Sequence, residues 1–310
     1  MPLNFFDAIK VKEIMPCGEF FRIEIPLSSP LQMISWSNFH THTSWCDGKS
    51  TLTELAEAAA EVKMSAIGFS SHAPLPFPCS WCIRPEDFQA YLRDITAIKA
   101  SSAIPVFAGL EVDYVPGLIG PSDFKSQLDY TIGSVHFVDG DDEFRWEADT
   151  SVELFQKGLN RIFKGDIQRA VCRYFELIRE MLSISPPDIL GHMDRIKMHN
   201  TVEVFFDEQA GWYRDEVVHT LEIARDSGVV IEVNTRGLYK KRSAESYPGS
   251  FALRKIREMG IPVMLASDAH HCGELISYFP EVSAELYKIG FRSFRNPGPS
   301  GWMEVPCHRL

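Results

Sequence analysis

Two histidines one residue apart, His40 and His42, with Asp47 close behind them, are the first residues of this chain whose types and spacing could do chemistry. They sit in Asn38-Phe39-His40-Thr41-His42-Thr43-Ser44-Trp45-Cys46-Asp47-Gly48, directly after the apolar run Met33 to Trp36. Side chains i and i+2 on extended backbone point the same way, and a tight loop ending at Gly48 returns Asp47 towards them. Imidazole and carboxylate together suit zinc, manganese or iron, and the lack of a paired thiolate argues against a structural zinc knot.

The same arrangement recurs downstream. His72, Glu111, His136 and His192 each follow a short apolar run, as do Asn234 with Arg236 and Asp268 with His270. Any one of the histidines alone is more often a hydrogen-bonded turn residue than a ligand, and either acid alone could cap a helix or pair with an arginine. Their repetition with one polarity along every run points instead to a metal cluster. A single catalytic ion needs only about three protein ligands, so six histidines and three acids imply two or three divalent ions bridged by carboxylates. The positive charge left over suits a phosphate monoester dianion.

Such residues meet only if their strands run parallel, and the chain is patterned for that. From Met33 onward, short apolar runs alternate with amphipathic stretches, the mark of βα units around a parallel sheet whose site lies at the carboxyl ends of the strands. A helix is expected over 51–64, with Thr51 and Glu54 as a capping box, and others over 86–99, 152–163, 167–182, about 207–227 and 276–289. Strands are expected at 66–70, 105–110, 130–135, 188–191, 229–233 and 262–266, with Gly228, Gly260 and Gly290 as helix stops. The acidic stretch 139–149 around Trp146 reads as a long loop, and the chain beyond 290 as a proline-containing tail. Residues 1–32, with Pro26, Ser28, Ser29 and Pro30 as a linker, read as an N-terminal extension to a core domain over 33–310.

At 310 residues and 45% hydrophobic, the chain can bury a large core. A net charge of −11 excludes a generally basic surface, so no nucleic-acid polymer is expected as a partner. No apolar run reaches the length of a membrane span and no signal-peptide pattern opens the chain. Seven scattered cysteines fit a reducing cytoplasm, and Cys79-Ser80-Trp81-Cys82 reads as two loop cysteines packed near an opening.

The motifs His40-Thr41-His42, Ser71-His72, Gly109-Leu110-Glu111, Gly133-Ser134-Val135-His136, Gly191-His192 and Ser267-Asp268-Ala269-His270 together resemble the polymerase and histidinol phosphatase (PHP) superfamily. His72-Ala73-Pro74-Leu75-Pro76 and Gly191-His192-Met193-Asp194-Arg195 are most similar to its histidinol-phosphate phosphatases. The resemblance implies a distorted (β/α)7 barrel, a trinuclear site and a phosphatase of histidine biosynthesis. It places His40, His42, Asp47, His72, Glu111, His136, His192, Asp268 and His270 at the family's ligand positions.

The expected reaction is hydrolysis of a small phosphate monoester by cation-activated water. Arg195 and Arg236 are the expected phosphate clamps, since a guanidinium fork matches paired oxygens. Asp194 is the candidate proton donor, and Glu143, Glu147 or Asp149 the candidate partner of a substrate ammonium. His199, His219, His271 and His308 are set aside as structural or solvated. Other readings are a PHP phosphoesterase acting on nucleotides or other small esters, and a noncatalytic metal-binding module. An amidohydrolase-type centre would instead favour a lysine at a strand end, and no strand end here carries one.

Overall fold

Short apolar runs separated by capped amphipathic helices give this chain its order of elements. The computed structural model describes residues 35–140 and 145–308, so the expected extension over 1–32 lies outside the described residues. β1 (Ser37–Asn38) leads to α1 (Leu52–Glu61), where Thr51 and Glu54 make the expected capping box. β2 (Ala66–Phe69), α2 (Phe88–Ser101), β3 (Val106–Asp113) and β4 (Tyr130–Ser134) follow. Next come β5 (Phe137–Gly140), β6 (Arg145–Glu147), α3 (Val152–Phe163), α4 (Ile167–Ile184) and β7 (Ile189–Leu190). The remainder is α5 (Gly211–Ser227), β8 (Val230–Asn234), the single turn α6 (Arg236–Tyr239), α7 (Ser250–Met259), β9 (Val263–Ala266), α8 (Phe279–Ile289), β10 (Ser293–Gly298) and β11 (Gly301–Pro306). α5, α7 and α8 stop at Gly228, Gly260 and Gly290, whose φ values of 74°, 70° and 117° only glycine adopts freely.

Seven of these strands form one parallel sheet in the order β1-β2-β3-β4-β7-β8-β9. A parallel bridge between Thr41 and Ala269 joins the two outer strands just past their carboxyl ends, with His42 N donating to Ala269 O at 2.7 Å. The sheet is thereby a nearly closed barrel, the distorted (β/α)7 architecture expected from the sequence.

The barrel floor is apolar: Phe39, Ala66, Phe107, Ile132, Ile189, Val230, Met264 and Ala266 surround Tyr130. The Tyr130 ring lies against Gly68 and Gly109, where an added Cβ would come within 2.3 Å of it. Glycine at both positions is therefore a packing requirement. The Tyr130 hydroxyl donates to Phe39 O at 2.6 Å, so its one polar group is satisfied in the interior. Outside the barrel, α4 buries Val171, Tyr174, Phe175, Ile178 and Met181 in the larger core.

Three expectations are corrected. β3 continues past Leu110 to Asp113, which carries Glu111 within the strand rather than after it. Within 139–149 the described residues are not a plain loop: β5 pairs antiparallel with β6, and Trp146 is buried against Phe155 and Phe163. The tail after 290 forms the hairpin β10–β11, with Phe294 and Cys307 packed into the core. Among the described residues no helix is long and apolar enough to cross a membrane.

Candidate metal centre

His40 and His42 leave β1 on extended backbone, and both rings turn inward above the barrel floor, fully buried. His40 Nδ1 lies 2.6 Å from Glu232 Oε1, so its proton goes to that carboxylate and the Nε2 lone pair faces the site. That Nε2 is 3.1 Å from His42 Nε2 and 3.1 Å from Glu111 Oε2. His42 Nε2 is in turn 3.3 Å from both Glu111 Oε2 and Asp268 Oδ1. Donor atoms each about 2.1 Å from a common ion stand roughly 3.0–3.4 Å apart, so this spacing fits a coordination shell.

Four overlapping groups could each hold an ion: His42 with Asp47, His72 and His270; His40 with His42 and Asp268; His40 with Glu111 and His192; and His72 with Asp113 and His136. All nine residues singled out from the sequence occur in them. Glu111 is central, for its Oε1 faces His192 at 2.9 Å and His136 at 3.6 Å while its Oε2 faces His40, His42 and His72 within 3.3 Å. Asp268 has φ 52°, a left-handed conformation that costs a non-glycine residue about 1–3 kcal/mol. It turns one oxygen to His42 and the other to Arg195.

The charges are out of balance in the direction a cation would correct. Burial opposes protonation of His40, but Glu232, Glu111 and Asp268 raise it to about 10. His136 is likewise raised to about 10 against burial by Asp113, Asp149 and Glu111. His270 is lowered to about 4 by burial and by His42.

Two acids that sequence reasoning missed stand behind the histidines. Glu232 holds His40 Nδ1 with one oxygen and the His192 backbone N–H, at 2.8 Å, with the other. Asp113 accepts from the His136 backbone N–H at 2.8 Å and lies 3.1 Å from its Nδ1. The available signal was a buried acid inside an apolar strand, Val-Ile-Glu-Val-Asn in β8, and a second acid two residues beyond Glu111 in β3.

A cavity of about 270 Å³ opens on this centre, and Arg195, Arg236, Arg242, Trp81, Glu147 and Asp149 are among its lining residues. Arg195 is fixed by Asp268 and Asp149, each at 2.9 Å, and Arg236 donates to Asp268 O at 2.6 Å. Arg195 Nε and Arg236 Nε are buried without a hydrogen-bond partner among the described residues. Arg242, an exposed cation at the mouth, was not foreseen. Asp149 is held at about 2, against its burial, mainly by Arg195. Burial and the neighbouring Asp149 raise the Glu147 carboxyl.

Asp194 is buried and outside the cavity lining, with Oδ2 bound at 2.9 Å to both Lys197 Nζ and Gly249 N, contacts that brace the loop after β7. Glu143 lies outside the described residues. His199, bound to Ala148 O at 3.2 Å, and His271, which caps Gly273 N, are structural as expected. Cys79 and Cys82 do more than pack near an opening: they are joined in a disulfide.

Comparison with known proteins agrees with this geometry. The PHP domain family model matches residues 38–236. The chain belongs to the PHP domain family. A protein of Deinococcus radiodurans named "Probable histidinol-phosphatase" is 29% identical over 272 residues, covering 82% of this chain and 94% of that protein. The histidinol-phosphatase of Bacillus subtilis is 25% identical over 256 residues, covering 76% of this chain and 94% of its own length. Among solved structures, histidinol phosphate phosphatase of Lactococcus lactis, complexed with zinc, L-histidinol and phosphate, superposes with a TM-score of 0.64 at 18% identity. That match covers 87% of this chain and 99% of the other, and it establishes the shared PHP barrel.

Proposed function

We propose that this protein is a metal-dependent phosphomonoesterase that hydrolyses L-histidinol phosphate to L-histidinol and phosphate, a cytoplasmic enzyme of histidine biosynthesis. The observation that carries the reading is a cavity lined both by six of the nine donors, Asp47, His72, Glu111, His136, Asp268 and His270, and by Arg195, Arg236 and Arg242. The names of relatives matched over nearly their whole length supply the substrate.

His40, His42, Asp47, His72, Glu111, His136, His192, Asp268 and His270 would hold two or three divalent ions, zinc among them as in the Lactococcus relative. Ions bound there supply Lewis acidity, polarising a phosphoryl oxygen and acidifying water near neutral pH. The chain's own part is orientation. Glu232 and Asp113 fix the tautomers of His40 and His136, so that ring nitrogens and not N–H groups face the centre. Arg195 and Arg236, immobilised by Asp149 and by the backbone of Asp268, grip non-bridging oxygens with donors already in place. Glu147, which also lines the cavity, takes the substrate's cationic end.

The test is phosphate release from L-histidinol phosphate beside a panel of nucleotides and other phosphomonoesters, with bound metal counted and His136→Ala as control. Preferential turnover of histidinol phosphate, lost in the variant, is the expected result. Full metal content with preference for a nucleotide would reassign the substrate to another small ester.

A further inference from the structure

The loop between β2 and α2 carries a feature that phosphate hydrolysis does not use. Cys79 and Cys82 are disulfide-bonded with their Cα atoms 5.6 Å apart, a normal separation for the bond. Between them stands Trp81, one of the residues lining the cavity. Its ring centroid is 4.5 Å from that of His72 and 5.6 Å from that of His136, and it stacks on Phe137 at 5.6 Å with an interplanar angle of 13°. The segment is pinned at its ends, by Ala73 N to Glu111 O at 2.8 Å and by Ile83 N to His72 O at 3.1 Å. Between those anchors, the cross-link, a side-chain hydrogen bond to Glu147 and a small apolar cluster with Leu75, Val115 and Phe137 hold the indole over the cavity.

We propose that Cys79 and Cys82 form a reversible thiol–disulfide site that sets the position of Trp81, and with it the affinity of the cavity for its substrate. The two sulfurs are unequally placed. Cys79 is half-buried between exposed Pro78 and Ser80, whereas Cys82 is 6% exposed in the apolar cluster. A dithiol reductant therefore attacks Cys79 Sγ. Its thiolate forms a mixed disulfide there and expels Cys82 as a thiolate, which takes a proton. The reductant's second thiol then closes on its own sulfur, leaves as a cyclic disulfide and releases Cys79 as a thiol. The protein gains two electrons and two protons and the dithiol loses them. In a compartment poised reducing the pair opens, and under oxidation it closes.

The affinity readout rests on the phosphatase reading, but the structural readout does not. Metal-loaded protein is prepared oxidised and, separately, reduced with a dithiol, and metal content is measured in both because dithiols also chelate. Thiols are counted by alkylation and mass. Hydrogen exchange is followed in the peptide spanning residues 76–83, and KM for L-histidinol phosphate is determined. Oxidised protein is expected to show two fewer alkylatable thiols than the seven cysteines of the sequence. Reduction should speed exchange in that peptide by about tenfold and raise KM roughly fivefold, the effect of ordering a residue on binding. Cys79→Ser/Cys82→Ser should hold the reduced values under both treatments, and the wild-type comparison decides by itself where that variant does not fold. Seven free thiols after oxidation, or a disulfide whose reduction leaves both exchange and KM unchanged, overturns the proposal. Protein inactive on every ester but showing the exchange difference would overturn the substrate reading and leave the switch standing.

Discussion

The two ends of the barrel are made from the same strands and obey opposite rules. At the floor, Tyr130 fills the room left by Gly68 and Gly109, donates its hydroxyl to Phe39 O, and is surrounded by aliphatic and aromatic side chains. At the rim, a few residues further along, buried imidazoles and carboxylates face one another at about 3 Å with their lone pairs converging. The floor is satisfied by contacts the chain supplies to itself. The rim is complete only with something positive in its middle. The difference shows that a parallel barrel can spend the stability of one end on the poise of the other, because the strands that carry the ligands are held from below.

The sharpest way to break this comparison is to remove one residue from each end. Glu111→Gln should lower kcat/KM by about a thousandfold or more, and metal analysis should show reduced occupancy while the circular dichroism spectrum stays the same. Tyr130→Ala should do the reverse. It empties the floor and costs about 3–5 kcal/mol of stability, read from denaturant unfolding, while the folded fraction keeps its metal and turnover. If Tyr130→Ala lost its metal without losing stability, the division of labour would be wrong.

A milder intervention acts behind the ligands. Glu232→Gln keeps the shape of the contact to His40 but removes the charge, and should weaken metal binding by roughly 10–100-fold, as followed by competition with a chelator. The smallest effect is expected at the mouth. Arg242 is exposed, and Arg242→Ala should raise KM by about two- to fivefold, an effect that added salt reduces. An equal loss at high and low salt would show that Arg242 acts at close contact with the phosphate.

The rim was legible in the sequence because its chemistry demands particular residue types and its geometry demands one polarity. Imidazoles and carboxylates that follow apolar runs can be counted without knowing how the strands pair. The residues that were missed lack such a mark. Glu232 and Asp113 lie inside strands, where periodicity reads them as interruptions, and their role exists only through a histidine on another strand. Asp194 shows the converse: its place next to His192 and Arg195 suggested chemistry, and its Oδ2 is bound to Lys197 and Gly249. The pairing of β5 with β6 was hidden by the acidic composition around them, and the burial of Trp146 against α3 shows what fixes β6. The helices fared better, because Thr51, Gly228, Gly260 and Gly290 mark their ends by conformational requirement.

The bridge between Thr41 and Ala269 closes the barrel between its first and last parallel strands. His270 and Asp47, which meet across that seam at 3.1 Å, lie 223 residues apart in sequence. A chain emerging from the ribosome therefore carries its early ligands for most of its synthesis without their partners. A product cut short before Asp268 would still carry the donors between His40 and His192 but would lack Asp268 and His270, so the donor set is finished only after the last parallel strand has been made.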